Sequence, residues 1–246
     1  MKKILICTGG TGGHIFPAIS LAEYLEKKNF NVDFITDYRA KKFIKNINLK
    51  KINFINVKTP TGKKGLGLIY SIFLIFISFL YSIFFLLLKK PQLIIGSGGY
   101  VSFPILLAAR LLKKKFVIYE TNSVVGRVNK FFLNSSTKIF TGYPLKNLNI
   151  SNDKVTFVGQ LIREQIYLAK ENNYFKKDDN FDFTLLIIGG SQGAEIFSKT
   201  LPQSLNKLFN LNKKIRIFHQ VGNKEQELKI DFSYKNNPNV TIFNFE

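Results

Sequence analysis

Residues 4–22, ILICTGGTGGHIFPAISLA, join a short apolar segment to a glycine-rich turn and then to a helical pattern. Residues 4–7 predict a buried strand, and apolar residues recur at helical spacing after Pro17. Proline suits the first turn of a helix, so we expect the helix to begin near Pro17. Glycines let backbone N–H groups approach an anion closely, and a helix N-terminus favours negative charge. The stretch therefore predicts a strand–turn–helix unit that binds an anionic group.

The alternative for this loop is an ordinary tight turn, and the four glycines in residues 9–13 argue against it. A dinucleotide-binding fingerprint begun at Gly10 would need glycine at the position of Ile15. The Gly-Lys-Ser/Thr sequence of a P-loop does not follow either. Similar glycine loops recur at residues 96–100 (GSGGY) and 189–194 (GGSQGA), so we expect the same device at three strand ends.

The composition indicates a globular protein of a reducing compartment. The 246 residues suffice for one large domain or two modest ones, and 46% of them are apolar. The single cysteine, Cys7, lies in the first predicted strand, which leaves no disulfide framework. Lys2 and Lys3 precede only four apolar residues, too few for a signal peptide. We therefore expect a cytoplasmic protein.

The formal charge of +20 has two explanations. Lysine, isoleucine, asparagine and phenylalanine dominate the composition, as happens when an AT-rich genome drifts in codon usage. The functional alternative is attraction to anionic lipid or to phosphate-bearing substrates. Because no known DNA- or RNA-binding motif is present, nucleic acid is not an expected partner.

Predicted strands alternate with helices along the whole chain, which indicates an α/β protein with parallel sheets. We expect a first domain over residues 1–142, a linker over 143–163 and an incomplete second domain over 164–246, with the strand at 155–158 leading into the second unit. The predicted strands are residues 4–7, 31–36, 52–57, 92–95, 115–119, 138–141, 155–158, 183–188, 215–221 and 240–245.

Residues 66–88 contain no charge and would form a helix about 34 Å long. Hydropathy alone predicts a transmembrane span, because the hydrocarbon core is about 30 Å thick. However, if the strand at 92–95 joins the sheet begun by residues 4–7, both helix ends lie on one side of a membrane. We therefore favour a crossover helix lying in the membrane plane over a span.

The two faces of this helix differ in composition. Ser71, Ser78 and Ser82 fall on one face, which could pack closely on the sheet. The opposite face, with Phe76, Phe79 and Phe84, is expected to be exposed and to meet lipid. Lysines flank the segment at both ends, namely Lys63, Lys64, Lys89 and Lys90.

Polar residues follow two of the predicted strands. The strand at 115–119 delivers Glu120, Thr121 and Asn122 to the carboxyl edge of the sheet, where open α/β sheets bind ligands. Asp37 follows the strand at 31–36 and could hold a nucleotide ribose. That acid keeps an NAD(P)-dependent oxidoreductase as a distant alternative.

Five segments in order resemble the MurG family of peripheral membrane glycosyltransferases. The resemblance implies two Rossmann-like domains of the GT-B type, the second incomplete here. It also implies an inverting transfer of N-acetylglucosamine from UDP-N-acetylglucosamine to the muramoyl 4-hydroxyl of lipid I (undecaprenyl-pyrophosphoryl-muramoyl-pentapeptide), giving lipid II for peptidoglycan synthesis and cell division. The segments are residues 9–22 (GGTGGHIFPAISLA), 94–104 (IIGSGGYVSFP), 120–129 (ETNSVVGRVN), 157–164 (FVGQLIRE) and 187–194 (IIGGSQGA).

The resemblance also implies a location and a set of substrate contacts. The location is the cytoplasmic face of the inner membrane, and the partners are the two substrates and an anionic membrane surface. The acceptor pocket would be shaped by Gly98, Gly99 and Tyr100, while the first glycine loop cradles the lipid pyrophosphate. The residues implied to contact the donor are Thr11, Gly12, Gly13, Asn122, Arg163 and Ser191.

His14 is the best candidate for the catalytic base or for orienting the acceptor hydroxyl, because an unperturbed imidazole titrates near neutrality. Capping of the following helix is the alternative role for His14. Glu120 is either an alternative base or a hydrogen-bond acceptor for the neighbourhood of Asn122, and His219 is expected to be structural. No D-x-D sequence occurs, so neither a metal nor another cofactor is expected; helix dipoles and Arg163 would stabilise the leaving group.

The chain departs from the family pattern at three places. Tyr119 and Thr121 flank Glu120 where the family has histidine and glutamine, and residues 160–162 (QLI) replace Asn-Pro-Val before Arg163. Family members also continue for about another hundred residues, which hold further donor contacts. We therefore expect no transferase activity from the 246 residues alone, and a noncatalytic remnant that only binds membrane stays an alternative.

Overall fold

The computed structural model describes residues 2–9, 12–44, 47, 49–145, 151–171, 180–190, 195–209, 214–230 and 232–244. The chain divides into two compact units, Met1–Leu168 and Ala169–Glu246. In each unit the described strands pair in parallel and alternate with helices, which confirms the predicted α/β class.

Seven strands and most of the helices form the first unit. Their bounds are β1 (Lys3–Cys7), α1 (Gly12–Lys27), β2 (Asn31–Asp37), α2 (Lys41–Ile44), β3 (Ile52–Ile55), α3 (Gly65–Lys89), β4 (Leu93–Gly96), α4 (Ser102–Leu111), β5 (Phe116–Glu120), α5 (Arg127–Phe132), β6 (Lys138–Thr141) and β7 (Val155–Phe157). Helix α6 (Glu164–Glu171) begins in the first unit and ends in the second. The sheet has the order β3-β2-β1-β4-β5-β6-β7.

This strand order reverses direction between β1 and β4. The chain proceeds from β1 to β2 and β3 on one side, then crosses back so that β4 pairs with β1 on the other, Ile4 opposite Leu93. Connections that leave two such strands diverge, and ligands of open α/β sheets bind in the crevice between them. Because β1 and β4 are the strands that precede the first two glycine loops, the fold places those loops side by side.

Helix α1 begins earlier than predicted. It starts at Gly12, so Pro17 lies in its second turn. Proline lacks the backbone N–H that would donate to the carbonyl of Gly13 within the helix. The next carbonyl, that of His14, accepts a hydrogen bond from Thr8 Oγ1 at 3.3 Å. The prediction placed the start of the helix too late, and the earlier start puts His14 in the first turn.

Strand β7 belongs to the first sheet. Sequence analysis assigned its residues to the entry of the second unit, but Val155 lies opposite Ile139 of β6 in a parallel pair. Val155 also packs against the apolar core beneath the sheet. That assignment was wrong because edge pairing with β6 holds the strand, and the predicted linker segment contains this edge strand. Residues 146–150 of that segment lie outside the described residues.

Helix α3 is the crossover between β3 and β4, and by length and composition it could also cross a membrane. Ser71, Ser78 and Ser82 are buried as predicted, and Ser78 Oγ donates to the carbonyl of Asn56 at 3.2 Å. Phe79 is partly buried against the core, so its expected exposure was wrong. The apolar face of α3 is defined here by its exposed residues Leu66, Ile69, Tyr70, Ile72, Phe73, Phe76, Ile77, Leu80, Tyr81, Phe84, Leu87 and Leu88.

The second unit contains a three-stranded parallel sheet in the order β10-β9-β8. Its central strand buries His219, whose Nδ1 lies 3.0 Å from the hydroxyl of Tyr234. Burial lowers the pKa of His219, which favours the structural role expected for it. The elements are β8 (Phe183–Ile187), α7 (Glu195–Phe209), β9 (Ile215–Val221), α8 (Lys224–Leu228), α9 (Phe232–Lys235) and β10 (Val240–Asn244).

Candidate active site at the reversal of strand order

The first two glycine loops pack backbone against backbone. Gly99 has φ +76°, and a Cβ on it would lie 2.7 Å from the carbonyl oxygen of Gly9. A Cβ on Gly9 would in turn lie 2.3 Å from the side chain of Val101. Neither glycine can carry a side chain without displacing its neighbours, so the two loops form one closely packed floor at the sheet edge.

A pair of alanine substitutions tests this close approach. Gly99→Ala should lower the free energy of unfolding by about 3 kcal/mol or more, because a strained φ of about 1–2 kcal/mol is combined with a backbone clash. Gly62 has nearly the same φ, +77°, but no atom in the described part of the chain lies within 4 Å of its Cβ position. Gly62→Ala should therefore show the conformational cost alone. Equal shifts of the two variants in thermal unfolding would contradict the packing.

His14 joins the first glycine loop to the residues after β5. Its Nδ1 lies 3.2 Å from Thr121 Oγ1, and its ring packs on Gly98, where a Cβ would come within 3.0 Å of His14 Cε1. Burial lowers the pKa of His14, while the charge of Glu120 and hydrogen bonding with the backbone of Ser97 act in the opposite direction. A lowered pKa leaves the imidazole neutral at pH 7, so it is able to accept a proton. The ring also bonds across to β5 instead of capping its own helix.

Glu120 is buried, and each of its carboxylate oxygens accepts two hydrogen bonds. Oε1 accepts from the backbone N–H and the side-chain Nδ2 of Asn122 at 3.0 and 3.1 Å. Oε2 accepts from the Gly126 amide at 2.9 Å and from Asn129 Nδ2 at 2.8 Å. A carboxylate with four donors fixes the loop that follows β5, which favours a positioning role for Glu120 over its predicted alternative role as the base.

Replacing Glu120 with glutamine should separate these two roles. The NH2 group of the new glutamine would point at one of the four donors and could not accept its hydrogen bond. We therefore expect the free energy of unfolding to fall by about 2–4 kcal/mol, because hydrogen bonds to a buried charged group are lost. The exposed Glu225, paired with Lys229 on α8, provides the control Glu225→Gln, with an expected change below about 0.5 kcal/mol. Thermal unfolding measures both. An inactive Glu120→Gln protein that melts like the wild type would instead make Glu120 the base.

Asn122 extends this network toward His14. Its Nδ2 donates to Thr121 Oγ1 at 3.3 Å as well as to Glu120. A chain of hydrogen bonds therefore runs from the buried carboxylate through Asn122 and Thr121 to the imidazole. The side chain of Asn122 is itself exposed at the sheet edge, where a substrate could reach it.

Arg163 lies at the same carboxyl edge of the sheet because hydrogen bonds hold the segment before it there. The hydroxyl of Tyr119 donates to the carbonyl of Gly159 at 3.2 Å and accepts from the Leu161 amide at 3.1 Å. Gln160 Nε2 donates to the carbonyl of Thr121 at 2.6 Å. The guanidinium of Arg163 then lies over the ring of Phe16 in α1, 4.5 Å from its centroid, a cation–π contact.

The positioning roles of Tyr119 and Gln160 were not predicted from the sequence. Both belong to segments in which the chain departs from the family pattern, and the structure shows that the two departing segments contact each other. The signal that could have indicated these roles was that residues 119–121 and 160–162 both depart from the family pattern. Sequence alone did not show that the two segments are in contact.

Tyr100 links the second glycine loop to the segment before α3. Its hydroxyl hydrogen-bonds to Thr61 Oγ1, and this bond lowers the pKa of Tyr100. Arg127 Nη1 also donates to Thr61 Oγ1, at 3.1 Å. The predicted acceptor-pocket residues therefore lie together, bordered by Thr61 and Arg127, two residues that the sequence did not single out.

The remaining candidate residues fall into three groups. Gly12 and Gly13 are the first two residues of α1, at the end of the helix that attracts anions. Thr11 and Ser191 lie outside the described residues. Asp37 is buried at the end of β2 and accepts from Arg39, at 2.8 Å from the backbone amide and at 3.0 and 2.6 Å from the guanidinium. A carboxylate held in this way argues against the ribose-binding role on which the oxidoreductase alternative depends.

Family models match both units of the chain. The model described as the glycosyltransferase family 28 N-terminal domain matches residues 4–141, and the one described as the glycosyltransferase family 28 C-terminal domain matches residues 184–246. Two solved structures share the fold. Acinetobacter baumannii MurG is 23% identical with a TM-score of 0.68, over 100% of this chain and 69% of that one. UDP-GlcNAc 2-epimerase from Methanocaldococcus jannaschii is 18% identical with a TM-score of 0.65, over 99% and 73%.

Curated relatives narrow the class. Proteins of Rickettsia felis and Pelagibacter ubique, both named UDP-N-acetylglucosamine--N-acetylmuramyl-(pentapeptide) pyrophosphoryl-undecaprenol N-acetylglucosamine transferase, are 36% and 37% identical to this chain. The alignments cover 100% and 99% of this chain and 69% and 67% of the relatives. The chain therefore belongs to the MurG family within glycosyltransferase family 28. The family and the GT-B fold expected from the sequence are thereby confirmed.

Proposed function

We propose that this chain is a UDP-N-acetylglucosamine-dependent hexosyltransferase that glycosylates the muramoyl 4-hydroxyl of lipid I and so forms lipid II for peptidoglycan. The observation that carries the proposal is that His14, Asn122 and Arg163, far apart in sequence, lie at the carboxyl edge of one sheet where the strand order reverses. Relatives that are 36% and 37% identical over nearly the whole chain are named as transferases of this kind.

In the proposed reaction His14 acts as the general base. The acceptor oxygen attacks C1 of N-acetylglucosamine from the face opposite the diphosphate, and the bond between C1 and the diphosphate oxygen breaks with its electron pair leaving on UDP. The hydroxyl proton passes to Nε2 of His14, in the tautomer whose Nδ1–H donates to Thr121. The configuration at C1 is inverted. A positioned base of this kind contributes about 10²–10⁴ in rate.

The two units divide the substrates in this proposal. The first domain, residues 1–142, takes the lipid acceptor, with its pyrophosphate at the first glycine loop, while Gly12 and Gly13 of that loop also contact the donor. The second domain, residues 164–246, takes the UDP-sugar, with the diphosphate at the third glycine loop. Arg163, at the end of the proposed linker, would stabilise negative charge on the leaving diphosphate.

The proposed location is the cytoplasmic face of the membrane, with α3 lying in its plane. The topological condition for this arrangement is met, because β4 pairs with β1 in the same sheet as β3. The apolar face of α3 is uncovered while its serine face is buried, as expected for a helix that packs on protein on one side and on lipid on the other. The lysines at both ends would contact anionic headgroups.

Transfer of labelled N-acetylglucosamine from UDP to a lipid I analogue in vesicles tests the proposal. The assay should be run on this chain and on a version extended with the C-terminal part of a relative. We expect lipid II formation in the extended protein and a fall of at least about tenfold in Arg163→Ala. Vesicle binding without any turnover would favour the noncatalytic remnant, and an NAD(P)H titration that saturates would favour the oxidoreductase.

A further inference from the structure

A buried glutamine of the second unit, Gln220, hydrogen-bonds to the backbone of Gly189 and Gly190, the first two residues of the third glycine loop. Gln220 lies in β9 with only 2% of its surface exposed. Its Oε1 accepts from the Gly189 amide at 3.1 Å, and its Nε2 donates to the carbonyl of Gly190 at 2.7 Å. Both polar atoms of the side chain are therefore used on two consecutive residues of another segment.

The register of the sheet explains why this residue meets the loop. Ile187, the last residue of β8, lies opposite His219, so Gln220 follows at the level where β8 ends and the loop begins. Gly190 has φ +75°, and no atom of the described residues lies within 4 Å of a Cβ position there. The two hydrogen bonds of Gln220 therefore hold the backbone of the described part of this turn, at Gly189 and Gly190.

We propose that Gln220 is a positioning residue for the donor diphosphate. It fixes the backbone of Gly189 and Gly190 at the carboxyl edge of the second sheet before the ligand arrives. A turn that is ordered in advance loses less freedom on binding, so the ligand is held more tightly. The inference rests on the proposed function, because that function assigns the diphosphate to this loop.

The alternative is that Gln220 only joins β8 to β9, and a matched residue separates the two roles. Asn237 Oδ1 accepts from the Asn239 amide at 2.9 Å, in the turn that leads into β10 and hence at the opposite edge of the same sheet. Gln220→Met and Asn237→Leu each replace a hydrogen-bonding amide by an apolar side chain of similar size. A purely structural role predicts that UDP affinity falls only in proportion to the lost thermal stability in both variants.

The experiment uses the full chain, with UDP as the probe in calorimetry and amide hydrogen exchange as the second readout. We expect Gln220→Met to weaken UDP binding at least about tenfold and to speed exchange at Gly189, while Asn237→Leu changes neither. In the extended protein, Gln220→Met should raise KM for UDP-N-acetylglucosamine with little change in kcat.

Two outcomes would overturn parts of this picture separately. If the wild type binds UDP, two results would refute the positioning role alone. One is a Gln220→Met variant with unchanged UDP affinity, and the other is a loss of UDP affinity that follows the loss of thermal stability in both variants. A wild-type protein that binds no UDP, alone or extended, would refute the proposed donor site and with it the role of Gln220. Exchange at Gly189 would still show whether the two hydrogen bonds hold the turn.

Discussion

In the protein extended with the C-terminal part of a relative, replacing His14 with alanine should lower kcat by at least about tenfold while the fold survives, because a positioned general base contributes about 10²–10⁴ in rate. The variant loses the hydrogen bond between Nδ1 and Thr121, a cost of about 1 kcal/mol in stability. His14→Gln keeps a hydrogen-bonding side chain that cannot accept a proton at neutral pH, so it should be as slow as the alanine variant. Single-turnover kinetics with a lipid I analogue measure the effect.

The pH dependence of the wild type provides the second part of this test. Burial lowers the pKa of His14 below its ordinary value of 6.5, so the neutral form that accepts a proton dominates at pH 7. Activity is then retained above that value and is lost as the pH falls through the lowered pKa. The acid limb of kcat/KM should therefore lie below pH 6.5. Wild-type rates in His14→Ala, or an unchanged acid limb in His14→Gln, would contradict the assignment.

Replacing Phe73, Phe76 and Phe84 with serine should weaken binding to anionic vesicles about a hundredfold. These side chains are 56%, 53% and 62% exposed on the apolar face of α3. Moving the exposed part of each ring out of water contributes about 1 kcal/mol, and three such rings give about 3 kcal/mol, or two orders of magnitude in affinity. Vesicle sedimentation at low and high salt measures the apolar and the charge contributions separately.

The control for this variant lies in the second unit. Ile196, Leu228 and Phe232 are exposed to a similar or greater extent, and their replacement by serine should leave vesicle binding unchanged. Resistance of the wild type to extraction by alkaline carbonate, with residues before and after α3 cleaved by protease on opposite faces of the membrane, would show a spanning helix. That result would contradict the in-plane arrangement.

Local patterns predicted the strands well because their apolar runs are short and bounded by glycine or charged residues. β6 and β9 have the predicted bounds, and the long uncharged segment 66–88 became α3 with one more residue at each end. The predicted start of α1 was wrong because sequence alone does not distinguish a proline in the second turn of a helix from one in the first turn. The place of β7 was wrong because pairing with β6 across a long connection leaves no local trace.

The candidate site was predictable only where a motif carried it. The glycine loops, His14 and Arg163 were found because they stand in quotable segments. Their supports were missed, because contacts such as that between Tyr119 and Leu161 or between Tyr100 and Thr61 join residues far apart in the chain. Glu120 was recognised as important, yet its four donors, which favour a positioning role, are visible only in three dimensions.

The hydrogen bond between Thr61 and Tyr100 ties the beginning of α3 to the second glycine loop, and Lys63 Nζ adds a bond to Ser71 within the same corner at 2.9 Å. If α3 rests on the bilayer as proposed, the height of the reaction centre above the lipid is set by a short segment, residues 61–71, that hydrogen bonds hold in place. A flexible linker would not fix that height. A lipid-borne acceptor would then be found by diffusion in two dimensions, at a high effective concentration. Lys63 is outside that pocket border, so Lys63→Met, which removes the bond to Ser71, would loosen the segment before α3 and let that height vary.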